Sequence, residues 1–333
     1  MLEHGGNLNE AIARFGRARA DWIDLSTGIT PHPYPVPPLA ADCWHRLPQS
    51  DSALLDAARA YYGAAQLLPV AGSQAAIQAL PRLHAPCRVV IAAPAYAEHA
   101  HRWRQAGHQV TEVAYAELEL ALPQCDVMVI CNPNNPTGAR VAPAQLLAWA
   151  AALARRDGWL VVDEAFADTT PDTSVAASAA AGLIVLRSVG KFFGLAGLRL
   201  GFVLASPALL DGLAELLGPW SVSGPAQQIG AMALADRAWQ LQNRAALLDQ
   251  GERLHTLLAR HGIAPSGSAL YQWWPEPHSD ALQKHFAEHG IWVRRFAGPS
   301  HGAHGIRLGL PATSAHWQRL DDALLDWRKA AAA

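Results

Sequence analysis

The chain has 333 residues, of which 51% are apolar and 16% are charged, and its formal net charge is −2. This composition is typical of a globular protein with a full core and excludes a disordered or coiled-coil chain. A charge near zero gives no general attraction to nucleic acid or to an anionic membrane. The longest apolar run, at 175–186, is too short to span a bilayer, and the four cysteines form no C-x-x-C pair. We therefore expect a soluble, cytoplasmic protein with no nucleic-acid or membrane partner.

Helical patterns alternate with short β-rich runs between residues 50 and 205. The segment 51–63 starts at an acidic residue, carries apolar residues at helical spacing and ends at glycine, which predicts a helix. Further helices are predicted at 97–107 and 142–158. Strands are predicted at 67–70, 87–93, 108–114, 126–131, 159–164, 182–188 and 200–205. Strands that alternate with helices indicate an α/β fold with a mostly parallel central sheet covered on both faces.

The rest of the chain predicts a second, smaller unit. The proline-dense segment 31–39 is incompatible with a helix or a central strand. A long helix is predicted over 236–262, and it is followed by a further α/β set that ends in a helix from about residue 316. We expect an N-terminal arm or flap (1–45), a large domain (46–235), and a connecting helix with a small C-terminal α/β domain (236–333).

Polar and aromatic residues follow the predicted strands in a consistent order. Ligands of open α/β sheets bind beyond the carboxyl ends of the strands, so these residues are expected to share one site. They are Gly72, Ser73, Gln74, Tyr96, Asn135, Asp163, Ser188, Lys191 and Arg199.

Lys191 is one of three lysines in a chain with 23 arginines, and it lies in the apolar stretch 188–202. An apolar setting lowers the pKa of an amine, and an amine condenses with an aldehyde cofactor, whereas a guanidinium does not. A buried carboxylate would keep the nitrogen of the cofactor ring protonated. Asp163 is assigned this role, and the neighbouring Glu164 is the alternative acid.

The remaining residues of this set suit a phosphorylated ring. Backbone N–H groups at 72–74, together with Ser188 and Arg199, are suited to a phosphate. Asn135 can donate to a phenolic oxygen, and Tyr96 can cover the ring face, although packing in the core is the alternative for Tyr96. The combination predicts a pyridoxal 5′-phosphate site with Lys191, Asp163 and Tyr96 as its catalytic residues.

Three motifs carry a family resemblance. NPNNPTG (132–138), VVDEAF (161–166) and SVGKFFGLAGLRLGF (188–202) resemble, in this order, the fold-type I aminotransferase superfamily, near histidinol-phosphate aminotransferase. HGGN (4–7) and DLSTGITP (24–31) are similar to the threonine-phosphate decarboxylases of cobalamin biosynthesis. The resemblance implies a fold-type I pyridoxal-phosphate enzyme, a homodimer, and decarboxylation of L-threonine O-3-phosphate to (R)-1-amino-2-propanol O-2-phosphate.

The same resemblance assigns substrate residues. HGGN becomes a flap that supplies His4, Gly5 and Gly6 to the substrate phosphate, and IRLGL (306–310) places Arg307 on the substrate carboxylate. Arg294 and Arg295 point to opposite sides of a strand, so at most one of them faces the site. We assign Arg295, with Asn135, to the substrate.

Four positions depart from the pattern of relatives. Gly28 and Thr30 stand where the family often has asparagine. Leu47 stands where a tyrosine commonly reaches the cofactor phosphate of the neighbouring subunit. Phe166 replaces a tyrosine of the aminotransferases, so the phenolic oxygen of the cofactor loses a hydrogen bond.

Two other functions remain open at this stage. An aminotransferase acting on histidinol phosphate or a related phosphorylated amine would use the same cofactor residues. A non-catalytic sensor is disfavoured because no helix-turn-helix region precedes the fold. The histidine pairs His99/His101 and His301/His304 have no evident carboxylate or thiolate companions, so we predict no metal site.

Overall fold

The computed structural model describes residues 2, 4–297 and 304–332. Within them the strands are β1 (Ile23–Leu25), β2 (Leu68–Val70), β3 (Arg88–Ala93), β4 (Gln109–Ala114), β5 (Val127–Cys131), β6 (Trp159–Asp163), β7 (Leu183–Ser188), β8 (Gly201–Leu204), β9 (Ser266–Ser268), β10 (Tyr271–Pro275), β11 (Ile291–Phe296) and β12 (Gly305–Gly309). The α-helices are α1 (Leu8–Phe15), α2 (Asp42–His45), α3 (Ser52–Tyr62), α4 (Ser73–Ala79), α5 (Ala97–Gln105), α6 (Leu118–Ala121), α7 (Pro143–Ala154), α8 (Pro207–Leu217), α9 (Gly224–Ala235), α10 (Arg237–Arg260), α11 (Ser279–Glu288) and α12 (Ser314–Ala332).

The larger sheet has seven strands in the order β2-β8-β7-β6-β5-β3-β4. Strand β8 is antiparallel to both of its neighbours, and the remaining pairs are parallel. All seven strands predicted between residues 67 and 205 are confirmed, to within one residue at each end. The mostly parallel α/β sheet is therefore confirmed as well.

Both faces of this sheet are covered by apolar side chains. Val90, Met128 and Val162 belong to one buried cluster, whereas Val129 and Val161 belong to the cluster on the other face. Successive residues of a strand point to opposite faces, so a strand buried on both sides must be apolar at nearly every position. This explains the unbroken apolar runs of the sequence.

The helix predicted over 51–63 is α3, and the first and last residues of the predicted range are its N-cap and C-cap. The Asp51 side chain accepts the Ala53 N–H at 2.8 Å, and Gly63 has a φ of 68° and donates its N–H to Arg59. An acidic N-cap and a left-handed glycine satisfy the free backbone groups at either end. The proline-dense segment 31–39 forms neither helix nor strand, as predicted.

The smaller sheet has five strands in the order β1-β11-β12-β10-β9. The parallel pairing of β1 with β11 joins residues 23–25 to residues 291–293. A strand from the N-terminal region thus lies in a sheet whose other strands all follow residue 265. The sequence patterns did not predict this strand, because three residues carry too little periodicity.

One edge of the larger sheet collects the functional residues. The parallel strands all have their carboxyl ends there, and the antiparallel β8 begins there. A Cβ on Gly201, at the start of β8, would lie 2.6 Å from the Ser73 nitrogen, so the start of β8 and the start of α4 are in close contact. In the part of the chain described, no helix has the length and apolar character needed to cross a membrane.

Candidate active site

Lys191 lies three residues beyond β7, in a pocket at the carboxyl edge of the larger sheet. Burial lowers the pKa of this amine to about 8, and the positive charges of Arg307 and Arg199 act in the same direction against the opposing effect of Asp163. Its Nζ is 5.7 Å from the centroid of the Phe166 ring. The lysine therefore supplies an amine that is partly neutral near physiological pH.

Asp163 is buried at the end of β6 and faces the same pocket. One carboxylate oxygen accepts the Ala165 N–H at 3.0 Å, and the other lies 2.9 Å from Nε2 of His99. Glu164 instead contacts Arg187 at 2.6 Å, outside the pocket lining. Asp163, rather than Glu164, is thus the acid of the pocket. The histidine behind it was not predicted as a site residue.

A group of backbone and side-chain donors lies at the start of α4. The first N–H groups of a helix have no partner within the helix, and those of Ser73 and Gln74 are at this position. Gly72 has a φ of 72°, and a Cβ there would lie 2.6 Å from Nη2 of Arg199. Only glycine therefore allows this arginine to lie against the turn. With Ser188, which also lines the pocket, these residues form a cradle of donors that is suited to an anion.

Asn135 is the pocket-lining asparagine of the 132–138 turn. The Asn132 side chain is bound to the backbone of Val141, and the Asn134 side chain donates to Pro94 O at 2.8 Å. The Asn135 Oδ1 accepts a hydrogen bond from Nη1 of Arg307. The turn thus holds the Asn135 amide in the pocket while its other asparagines hold the turn itself.

Tyr96 precedes the first residue of α5 and lines the pocket between β3 and this helix. Its hydroxyl donates to Oε1 of Gln74 at 3.1 Å. Desolvation raises the pKa of this phenol, with smaller contributions from the charges of Glu98 and Asp163, so it remains protonated. Tyr96 therefore forms a neutral aromatic part of the pocket lining, held in place by Gln74.

The smaller sheet contributes two arginines to the pocket. Arg294 and Arg307 are paired across β11 and β12, and both line the cavity. The Arg307 Nη2 donates to Ser26 O at 2.8 Å, and its buried Nε has no hydrogen-bond partner among the described residues. Burial lowers the pKa of Arg307 to about 10. A buried cation with a free donor is suited to binding an anionic group of a ligand.

Arg295, which the sequence analysis assigns to the substrate, lies outside the pocket lining. Arg295 forms an ion pair with Asp280, at the start of α11, and Arg294 takes the place in the lining. Neighbouring residues of a strand point to opposite faces, so only one of the two can face the pocket.

The N-terminal segment covers part of the pocket. His4 and Gly5 are in the lining, and a Cβ on Gly5 would lie 2.2 Å from Ser26 O, so glycine is required for this close approach. Gly6 was assigned to the substrate, but its N–H donates to Oγ of Ser26 at 2.7 Å and it lies outside the lining. The His4 Nε2 is 3.0 Å from Oε1 of Glu98.

His99 has a carboxylate and a thiol close to its ring. The ligand atoms of His99, Cys131 and Asp163 all lie within 4.8 Å of one another, which corrects the expectation that His99 has no carboxylate or thiol nearby. Burial, followed by the charge of Asp163, raises the pKa of the Cys131 thiol, so it stays protonated. His301 lies outside the described residues.

The pocket residues fit pyridoxal 5′-phosphate. The cradle at 72–74 with Ser188 and Arg199 suits a phosphate, Tyr96 a flat ring, Asp163 a protonated ring nitrogen, and Lys191 an aldehyde. The unpartnered Nε of Arg307 leaves a donor for a further anionic group.

The profile of the aminotransferase class I and II family matches residues 39–320. The chain is 55% identical over 333 residues to a threonine-phosphate decarboxylase of Pseudomonas aeruginosa, and the alignment covers 99% of each protein. It is 42% identical over 333 residues to a threonine-phosphate decarboxylase of a Sinorhizobium species, and the alignment covers 97% of each protein. A solved structure of histidinol-phosphate aminotransferase from Sinorhizobium meliloti in complex with pyridoxal-5′-phosphate matches with a TM-score of 0.76 at 22% identity, over 87% of this chain and 85% of that one. The chain therefore belongs to the aminotransferase class I and II family.

Proposed function

We propose that the protein decarboxylates L-threonine O-3-phosphate to (R)-1-amino-2-propanol O-2-phosphate in cobalamin biosynthesis, with pyridoxal 5′-phosphate as cofactor. The observation that carries this proposal is the 55% identity over nearly the whole chain to a threonine-phosphate decarboxylase. The geometry supports it, because one pocket contains a low-pKa amine, a buried carboxylate and three arginines.

The larger sheet holds the cofactor in this proposal. The bound cofactor supplies an electron-accepting ring that takes up the electron pair of the broken bond. Asp163, supported by His99 at 2.9 Å, holds a proton on the ring nitrogen. Gly72, Ser73, Gln74, Ser188 and Arg199 bind the phosphate, Tyr96 covers the ring, and Asn135 donates to the phenolic oxygen.

The smaller sheet and the N-terminal segment orient the substrate. Arg307 binds the substrate carboxylate, and Arg294, His4 and Gly5 lie where they can bind its phosphate. Two separate anion contacts fix the rotation of the substrate about Cα, so that the bond to the carboxylate stands perpendicular to the ring. Orientation of this kind contributes about 7–11 kcal/mol in favourable cases.

Lys191 completes the reaction. The carbon–carbon bond breaks, carbon dioxide leaves, and a proton from Nζ of Lys191 is delivered to Cα of the product. An amine whose pKa is about 8 can give up this proton near neutral pH and regain it from solvent.

Product analysis tests the proposal. The cofactor-loaded protein is incubated with L-threonine O-3-phosphate, and we expect carbon dioxide and the amino alcohol phosphate without any 2-oxo acid. The Lys191→Ala variant should release no carbon dioxide. Transfer of the amino group to 2-oxoglutarate would instead support the aminotransferase alternative, and cofactor binding without turnover would support the sensor.

We also propose that the protein is a cytoplasmic homodimer. Trp44, Leu47 and Trp220 are 66%, 64% and 60% exposed, respectively. The segments that carry them are neighbours, because a Cβ on Gly224 would lie 2.4 Å from Cys43 O. Large exposed apolar side chains in one region are typical of an interface. Trp220→Glu should shift the dimer toward the monomer in sedimentation experiments, and an unchanged mass would argue against this surface.

All four cysteines are free thiols, which agrees with a reducing compartment such as the cytoplasm. The cytoplasmic location can be checked by cell fractionation.

A further inference from the structure

Glu98 is a buried carboxylate to which neither the sequence motifs nor the proposed reaction gives a role. It is the second residue of α5, and only 6% of its surface is exposed. A charged group is rarely buried to this extent unless it is paired. Its partners therefore indicate what holds it there.

The partners of Glu98 come from three separate parts of the chain. Oε2 accepts hydrogen bonds from Nε2 of Gln74 and from Nε of Arg102, both at 2.8 Å. Oε1 lies 3.0 Å from Nε2 of His4, in the N-terminal segment. Although burial raises the pKa of Glu98, the hydrogen bonds from Arg102, Gln74 and His4 lower it below its ordinary value. Glu98 is therefore an ionised acceptor at neutral pH.

These contacts connect the N-terminal segment to the cofactor side of the pocket. Tyr96 donates to Gln74, Gln74 donates to Glu98, and Glu98 binds His4. The His4 ring in turn lies against Tyr96, with the ring centroids 5.8 Å apart. Because an ionised carboxylate only accepts, Nε2 of His4 must carry the hydrogen. Glu98 thereby determines both the position and the tautomer of the imidazole.

We propose that Glu98 is a positioning residue that locks the N-terminal segment, residues 4–7, over the pocket by holding His4 against Tyr96. Release of this contact frees the segment, and formation of the contact places His4 and Gly5 at the mouth of the pocket. The inference rests on the proposed function only for its kinetic readout, since the docking of the segment can be measured without substrate.

The first test measures amide exchange in the cofactor-loaded protein. The Gly6 N–H is a direct reporter, since it donates to Ser26 only while the segment is docked. A hydrogen bond to a charged group is stronger than a neutral one, so Glu98→Gln should increase Gly6 exchange about tenfold. The control is Glu112→Gln, which removes the charge of another glutamate paired with an arginine of α5, Arg104, and should leave exchange unchanged.

The second test separates docking from catalysis. Glu98→Gln should raise KM for L-threonine O-3-phosphate about tenfold and change kcat less than about twofold, because it alters substrate retention and not the reacting groups. His4→Ala should increase Gly6 exchange as Glu98→Gln does, and it should raise KM at least as much because it also removes a side chain placed to bind the substrate phosphate. His4→Gln should restore part of the protection because its amide can donate to Glu98. In the double variant Glu98→Gln/His4→Ala, the Gly6 amide should exchange no faster than in the faster of the two single variants.

Each outcome decides the proposal. Unchanged Gly6 exchange in Glu98→Gln, or a loss confined to cofactor affinity, would show that Glu98 acts only through Gln74 and Tyr96. If Glu98→Gln does not fold, the His4 variants decide: exchange equal to wild type in His4→Ala overturns the lock. If threonine phosphate is not a substrate, the proposed function fails, and the exchange measurements still test the lock.

Discussion

Replacing Lys191 by methionine is expected to stabilise the cofactor-free protein at pH 7 while abolishing its activity. The lysine amine is enclosed by apolar surface and lies within the field of Arg307 and Arg199, so its protonated form is disfavoured in the folded protein. Methionine has a similar length and no charge. The variant therefore removes an unfavourable electrostatic interaction that the reaction requires.

The magnitude follows from the two pKa values. The amine has a pKa of about 8 in the folded protein and 10.5 as its ordinary value. Below pH 8 both states bind the proton, and the folded state bears the full cost of roughly 3 kcal/mol. Between pH 8 and 10.5 the unfolded chain binds more protons than the folded one, so stability rises with pH through this window. Methionine has no such dependence.

Urea unfolding at several pH values measures the difference. At pH 7 the variant should exceed wild type by up to about 3 kcal/mol, and the gap should narrow by about 1.4 kcal/mol per pH unit above pH 8.5. Lys284→Met is the control, because Lys284 is exposed and forms a 3.8 Å surface pair with Glu288. A gap that is absent, or that does not change between pH 7 and 9.5, would refute the electrostatic account of this lysine.

Three further substitutions, two of them with a matched control, test the site and its support. Asp163→Asn should lower the decarboxylation rate about 100-fold or more, measured as carbon dioxide release at saturating cofactor. Gly138→Ala should lower the free energy of unfolding by at least about 2 kcal/mol, because the φ of Gly138 is 72° and the new Cβ would lie 1.9 Å from a backbone oxygen. The control Gly197→Ala, where the new Cβ meets open space, should change the free energy of unfolding by less than about 0.5 kcal/mol. Arg294→Ala should raise KM for threonine phosphate about tenfold or more and Arg295→Ala should leave it nearly unchanged, so equal effects would contradict the assignment of the pocket face.

The cofactor half of the site could be predicted because its residues follow strands. A strand buried on both faces is recognisable by its apolar run, and a parallel sheet brings the carboxyl ends of such strands together. Gly72, Asn135, Asp163 and Lys191 were each identified from the end of a run and from chemistry, and the structure brings all four into one pocket. The topology did not have to be known in detail for this.

Residues on α5 could not be assigned in the same way. Sequence alone places His99 and Glu98 on a helix, and the packing of that helix decides which one reaches Asp163 and which one reaches His4. A signal for His99 was present, since it lies on the stripe of Ala100 and Trp103, all of which are buried. A polar residue on an apolar stripe needs a buried partner, but the stripe does not identify that partner.

The sequence could not decide which of Arg294 and Arg295 faces the pocket, for a different reason. Alternation along a strand identifies the inner residue only when one face is apolar and the other is polar. In β11 both faces are largely buried, with Ile291, Trp292 and Val293 all enclosed, so the pattern carries no information about direction. The direction becomes clear from the pairing of β11 with β12, which places Arg294 opposite Arg307.

Arg307 links the two halves of the site through its charge as well as its hydrogen bonds. Burial is the main cause of the low pKa of Lys191, and Arg307 is the largest charge contribution, although it belongs to the other sheet. The residue proposed to bind the substrate carboxylate thus also lowers the pKa of the amine before substrate arrives. A carboxylate on Arg307 would offset that charge and shift Lys191 toward its protonated form, and loss of the carboxylate as carbon dioxide would restore the charge and favour release of the proton to Cα. Binding and proton supply are therefore coupled through one guanidinium, and a substitution of Arg307 alters both together.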